Sequence, residues 1–224
     1  MNRSVAIDGP SGAGKSTLAR RAAQELGFLY VDTGAIYRTV GLAAFRAGVD
    51  PQDGPGVAAL LPGLQIEMGY DDAGVQRMVL NGEDVSEAIR RPEISMYASH
   101  VSAIGAVRDF LLEMQRSLAR ENSVIMDGRD IGTVVLPEAG LKIFLTASAK
   151  ERARRRLLEL SQKGVETDYD EVLREIIQRD ENDMRRAVAP LRRAPDAVEL
   201  DTTELDFEQS AAELLSLIRG RFGL

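Results

Sequence analysis

Short runs of consecutive apolar residues alternate along the chain with longer stretches whose apolar positions recur every three to four residues. The first run, Val5 to Ile7, ends at Asp8, and a Gly-rich stretch follows. Ser16 to Leu26 then carries Leu18, Ala22 and Leu26 four apart, the spacing of one helix face. Four more short runs recur at Phe28 to Val31, Val124 to Met126, Ile143 to Leu145 and Ala197 to Leu200, with helical segments between them. Continuous apolar runs of that length suit strands buried on both faces, so the alternation predicts an α/β fold, a parallel sheet covered by helices. A final helix is predicted from Phe207, Ala211, Leu214, Leu215, Ile218 and Phe222, which share one stripe.

Two regions break this rhythm. Between about Asp50 and Ser86 the chain turns Gly-rich and strand-like, with LQIEM, VQRMVL and then Asn81-Gly82, a dipeptide that favours a type I′ hairpin turn. A small antiparallel insert is expected there. From Lys150 to Ala194 the sequence becomes Arg- and Glu-rich, reading as two helical stretches joined around Ser161 to Asp168 with few large apolar anchors. That composition predicts a mobile flap.

Length and composition narrow the classes. A chain of 224 residues with 44% hydrophobic and 28% charged residues is ordinary globular usage and predicts a single domain with excursions. No apolar run approaches the roughly 20 residues of a membrane span, and the start MNRSVAIDGP breaks too early for a signal sequence, so a soluble cytoplasmic chain is expected. The absence of cysteine removes disulfides, thiolate metal sites and cysteine nucleophiles together. Net charge is −7, which argues against a nucleic-acid surface, yet arginine outnumbers lysine 24 to 4, and ten arginines fall between Arg152 and Arg193. Either codon bias explains that skew, or guanidinium forks gather near a phosphate.

The phosphate comes from the Gly-rich stretch. GPSGAGKS, Gly9 to Ser16, fits G-x-x-x-x-G-K-[ST] at every fixed position, after a predicted strand and before a predicted helix. Its glycines let backbone N–H groups turn inward, Lys15 reaches the β- and γ-phosphates, and Ser16 suits Mg²⁺. A dinucleotide fingerprint fails, because position 17 holds Thr17 where glycine is needed.

Other stretches supply candidates at strand ends. SVIMDGRDIGTVVLP runs into Asp127, which is either the acidic residue that orients Mg²⁺ beside the loop or an ordinary turn aspartate. Arg129 and Asp130 are either a surface ion pair or a phosphate donor and a base acceptor. In YVDTGAIYR, Thr33 sits near a helix start and Arg38 about one turn in, so capping competes with ligation. Arg179, Asp183 and Arg186 are spaced four and three, on one helix face, as either a structural pair or a sugar-phosphate site. His100, the sole histidine, has no partners for a metal site or a triad and reads as structural or surface.

GPSGAGKST, VDTGAIYR, LNGEDVSEAIR, VIMDGRDIGTVV, KIFLTAS and QRDENDMRRAVAPL, in that order over nearly the whole chain, resemble the bacterial cytidylate kinases. The resemblance implies a P-loop nucleoside monophosphate kinase fold: a parallel five-stranded sheet flanked by helices, a small antiparallel insert in the monophosphate-binding region, and a helical lid. It divides residues 1–224, as one domain, into a core (about 1–49, 101–149 and 195–224), a monophosphate region (about 50–100) and a lid (about 150–194). ATP phosphates fall to Gly9, Pro10, Ser11, Gly12, Ala13, Gly14, Lys15, Ser16 and Thr17, and Mg²⁺ to Ser16 and Asp127. CMP falls to Thr33, Arg38, Ser99, Arg108, Arg129, Asp130, Arg179, Asp183 and Arg186. Within that set Ser99, Arg108 and Asp130 resemble base-reading residues, Arg179 and Asp183 pentose ligands, and Arg38, Arg129 and Arg186 phosphate ligands. Lys15, Arg129 and Arg186 carry the catalytic roles.

Two departures, Thr33 where Ser is frequent and Ser16 where Gly also occurs, keep hydroxyls that serve. The expected activity is γ-phosphoryl transfer from ATP to CMP, with dCMP as a further acceptor, by a monomer that needs neither nucleic acid nor membrane. The competing readings are a P-loop kinase for another nucleotide or small metabolite, and a non-catalytic nucleotide switch.

Overall fold

The computed structural model describes residues 2–162 and 164–224; position 163, in the expected join of the lid, lies outside them. In chain order the elements begin with β1 (Ser4–Asp8), α1 (Lys15–Leu26), β2 (Leu29–Asp32), α2 (Thr33–Arg46) and α3 (Gly54–Leu60). There follow β3 (Ile66–Tyr70), β4 (Gln76–Leu80), β5 (Glu83–Asp84), α4 (Pro92–Val101) and α5 (Gly105–Glu121). The remainder comprises β6 (Val124–Gly128), β7 (Leu141–Thr146), α6 (Ala149–Gln162), α7 (Tyr169–Arg185), β8 (Val198–Asp201) and α8 (Phe207–Phe222).

The chain divides into two compact units, residues 1–30 with 119–224, and residues 31–118. A sheet runs in the order β2-β6-β1-β7-β8, and of its strands β1, β6, β7 and β8 lie wholly in the first unit. β1 pairs in parallel with β6 on one side, Asp8 opposite Gly128, and with β7 on the other, Asp8 opposite Phe144. β8 adds in parallel to β7. Val5, Ile7, Ile125, Ile143 and Leu145 are almost wholly buried against Leu18, Ala19 and Ala22 of α1 and Ala211, Leu214 and Ile218 of α8. Each apolar run identified in the sequence falls on a strand; β1, β6 and β7 are buried on both faces as central parallel strands, while β2 and β8 form the sheet edges. The strands all point the same way, so Asp8, Asp127 and Thr146 come out at one edge, where α/β folds bind ligands.

α6 and α7 form a helical hairpin in this unit. Its apolar content is small, Ala153, Val172 and Ile176 with half-buried Leu157, Leu160 and Leu173 around them. Ion pairs line α6: Glu151 accepts from Arg154 and Arg155, and Arg156 pairs with Glu159, so these three arginines are engaged along their own helix.

The second unit holds the antiparallel insert, three strands in the order β3-β4-β5. Asn81 and Gly82 both take positive φ, 50° and 83°, as the hairpin turn demands. Within the Gly-rich stretch before it lies a helix the apolar pattern does not announce, α3, capped by Asp53, whose side chain accepts from Gly56 N. α2 packs on α4 closely enough that a Cβ on Gly41 would lie 3.0 Å from Ala98 N, and Phe45 meets Tyr97 edge-on at 5.4 Å.

Candidate functional site

The chain leaves β1 through Gly9 and wraps around to α1, whose first turn opens from Gly14 in the left-handed region (φ 89°). Lys15 is 5% exposed, and its Nζ donates to Pro10 O at 2.8 Å across the loop. Burial lowers its pKa to about 7, helped by the charge of Arg129 and opposed by Asp127, Asp183 and Asp8. A polyanion in the loop would reverse that balance and hold the ammonium charged.

Ser16 Oγ donates to Asp127 Oδ2 at 2.8 Å, and Tyr30 OH donates to Asp127 Oδ1 at 2.9 Å. Asp127 is 4% exposed. One hydroxyl and one carboxylate beside a phosphate loop suit Mg²⁺, which takes few protein ligands and fills its octahedron with water and phosphate oxygens. Among the described residues no cluster of three or more His, Cys, Asp or Glu could hold a metal without such help.

Arg129 and Asp130 do not pair with each other. Arg129 Nε donates to Asp183 Oδ2 at 2.7 Å, and Arg186 Nη2 lies 3.7 Å from Asp130 Oδ1. The two pairs cross between the end of β6 and the end of α7. Burial raises the pKa of Asp183, but Arg129, Arg179 and Arg186 outweigh it and hold the carboxyl below its ordinary value. Arg186 lies just past α7 with extended backbone (ψ 141°), so the helix face expected to carry all three residues stops at Arg185. Leu191 N donates to Asp183 O at 2.8 Å as the chain turns away.

The first of the ten clustered arginines connects these helices to the loop. Arg152, 4% exposed, donates to Ser11 O at 2.9 Å and grips Asp180 with both Nη atoms at 3.1 and 2.5 Å. The hairpin is thereby fastened to the phosphate loop.

In the second unit Thr33 opens α2 and is buried, but the cap is Asp32, whose Oδ1 accepts from Ala35 N at 3.0 Å. Asp32 Oδ2 also accepts from Arg38 Nη2 at 2.7 Å. Gln76 of β4 clamps the same aspartate by its backbone, accepting from Asp32 N at 2.8 Å and donating to Asp32 O at 3.2 Å. Arg108, 7% exposed, donates to Ser102 O at 3.0 Å and lies 5.5 Å over the Tyr37 ring. Ser99 is half-buried on α4, its carbonyl accepting from Ser102 Oγ. Thr33, Arg38, Ser99 and Arg108 thus belong to one unit, and the loop, Asp127, Arg129, Asp130, Arg179, Asp183 and Arg186 to the other.

Comparison with known proteins bears on this arrangement. A family model described as cytidylate kinase matches residues 5–220. The cytidylate kinase of Caldicellulosiruptor bescii is 53% identical over 213 residues, covering 95% of this chain and 94% of that protein. That of Geobacter sulfurreducens is 51% identical, covering 97% of this chain and 93% of that protein. A solved structure of an uncharacterized protein from Eubacterium ventriosum is 11% identical with TM-score 0.53, covering 98% of this chain and 99% of that one, a likeness of fold alone. A family model over residues 5–220 and relatives about half identical over nearly the full length of both chains leave one conclusion: the chain belongs to the cytidylate kinase family.

Proposed function

We infer that the protein transfers the γ-phosphoryl group of ATP to CMP, and to dCMP, through the residues described above, with the two units working as one kinase domain. The observation that carries this reading is geometric. Ser16 of the donor loop donates to Asp127 Oδ2 at 2.8 Å, two residues before Arg129, whose Nε donates to Asp183 Oδ2 at 2.7 Å. Donor and candidate acceptor groups are therefore joined through the end of β6.

The loop residues Gly9 to Thr17 take the ATP phosphates, Arg38, Arg129 and Arg186 the CMP phosphate, and Arg179 and Asp183 the pentose. Ser99, Arg108 and Asp130 read the base, and Thr33 lines the acceptor site. Ser16 and Asp127 would hold Mg²⁺, which when bound neutralises phosphate charge as it develops. The acceptor phosphate, with a second pKa near roughly 6, arrives largely dianionic at pH 7, so the reaction asks for no general base. It asks for cations, alignment and exclusion of water. The protein acts as a cytoplasmic monomer in this reading, and no helix among the described residues is long and apolar enough to cross a membrane.

Cytosine presents an N4 amino donor where uracil presents O4, so a carboxylate at the base favours CMP. Asp130→Ala is expected to reduce the CMP-to-UMP ratio of kcat/KM by roughly 5- to 150-fold, the equivalent of about 1 to 3 kcal/mol. Unchanged selectivity in a folded variant would move the base reader elsewhere.

The α6–α7 hairpin acts as the lid. Replacing residues 158–171 with a short Gly-Ser linker keeps Arg152 and Asp180 while removing the tip. ATP hydrolysis without CMP should rise and CMP phosphorylation should fall; unchanged hydrolysis would deny the hairpin a role in excluding water.

A further inference from the structure

Asp8 is the last residue of β1 and immediately precedes the phosphate loop, yet its side chain serves another segment. It is 4% exposed. Oδ1 accepts from Ile131 N and Oδ2 from Gly132 N, each at 2.7 Å. Those amides open the π-helical turn Ile131–Val135, and the first amides of any helical turn find no acceptor within it. Ile131 is 1% exposed, so water is no alternative.

The residue before such a turn usually caps it with its own side chain. Here that residue is Asp130, at φ −146° and ψ 27°, and it makes no capping bond. Asp8 caps the turn from the neighbouring strand instead. The carboxylate of Asp130 is thereby released from the turn and meets Arg186 at 3.7 Å. The seat is tight, since a Cβ on Gly132 would lie 3.3 Å from Asp8 Oδ2 and 3.1 Å from Lys142 Cδ. Burial pushes the Asp8 pKa up to about 6, while the two amides hold it down, so the group is mainly a carboxylate at neutral pH. Its own backbone is fixed by parallel pairing on both sides.

We propose that Asp8 is a positioning residue for acceptor selection: by capping the 131–135 turn in place of Asp130, it keeps the carboxylate that reads the base off the turn amides and aims it. This rests on Asp130 being that reader. Without the cap, buried amides lose their acceptors, and Asp130 is the nearest carboxylate in sequence to satisfy them.

The test compares Asp8→Asn, Gly132→Ala and Asp130→Ala for kcat and KM with CMP and with UMP, for KM of ATP, and for Tm. Asp8→Asn keeps the volume but sets an N–H against an N–H. It should lower the CMP-to-UMP ratio of kcat/KM about tenfold and raise KM for CMP, with KM for ATP shifted less. Gly132→Ala, which crowds the same bond from the other side, should move selectivity in the same direction by less, and it decides the matter if Asp8→Asn does not fold. A purely structural role would lower Tm and leave the ratio alone. If Asp130→Ala loses selectivity while both other variants retain it, the positioning role is wrong and the base-reading role stands. If Asp130→Ala retains selectivity, both are wrong.

Discussion

Lys15→Ala is expected to lower kcat for CMP phosphorylation by at least about 10³-fold. Lys15 is the cation of the loop itself, buried and aimed across it to Pro10 O. Under the proposed function its ammonium meets the phosphate oxygens on which charge accumulates, in a setting where water screens little. No neighbour replaces it: Arg129 is engaged by Asp183, and Arg152 by Asp180 and Ser11. Stability should change little. The variant loses a charge-assisted bond to a carbonyl, but it also loses the desolvation cost that lowers the lysine pKa to about 7. Steady-state ADP formation together with thermal unfolding separates the two effects. Retained turnover would place the transferred phosphate away from this loop.

Gly9→Ala is expected to lower Tm by roughly 10 °C, at about 2 to 4 °C per kcal/mol for a chain of this size, and to abolish ATP binding. Two causes add. Gly9 has φ +151°, a region that L side chains rarely enter, and an added Cβ would lie 1.9 Å from Leu145 O. That carbonyl belongs to β7, which is paired with β1 on one side and β8 on the other, so it has nowhere to move. Backbone strain alone costs about 1 to 3 kcal/mol, and the clash comes on top. Gly27→Ala is the control, with φ +66° and nothing within 4 Å of an added Cβ. It should cost only about 1 kcal/mol and leave ATP binding intact. Equal effects in the two variants would show that conformation, not space, governs the loop entrance.

What could be read in advance follows from how locally each feature is encoded. β1, β6 and β7 lie in the sheet interior, so their apolar runs are unbroken and conspicuous, whereas β8, at the sheet edge with only Leu200 buried, reads more faintly. The hairpin of the insert is written in Asn81-Gly82, two adjacent residues. α3 was hidden because GPGVAAL combines two glycines and a proline and buries only Val57, its start being set by the Asp53 cap. The crossed pairs were hidden for a different reason: Arg129 and Asp183 are 54 residues apart, and only the fold determines which carboxylate each guanidinium meets. Helical spacing even misleads at Arg186, since α7 ends one residue earlier. Gln76 and Arg152 carry no motif at all; each acts through backbone atoms of a distant segment. The phosphate loop, by contrast, was legible residue by residue, because a backbone that must wrap an anion constrains glycine, lysine and hydroxyl at fixed spacing.

The most direct measurement is initial-rate ADP formation from ATP and Mg²⁺ with CMP, dCMP, UMP and AMP offered separately. Rapid turnover with CMP and dCMP, and slow turnover with UMP and AMP, is the result expected of a cationic site that closes over a cytosine nucleotide. Rapid turnover with UMP or AMP and none with CMP would contradict it.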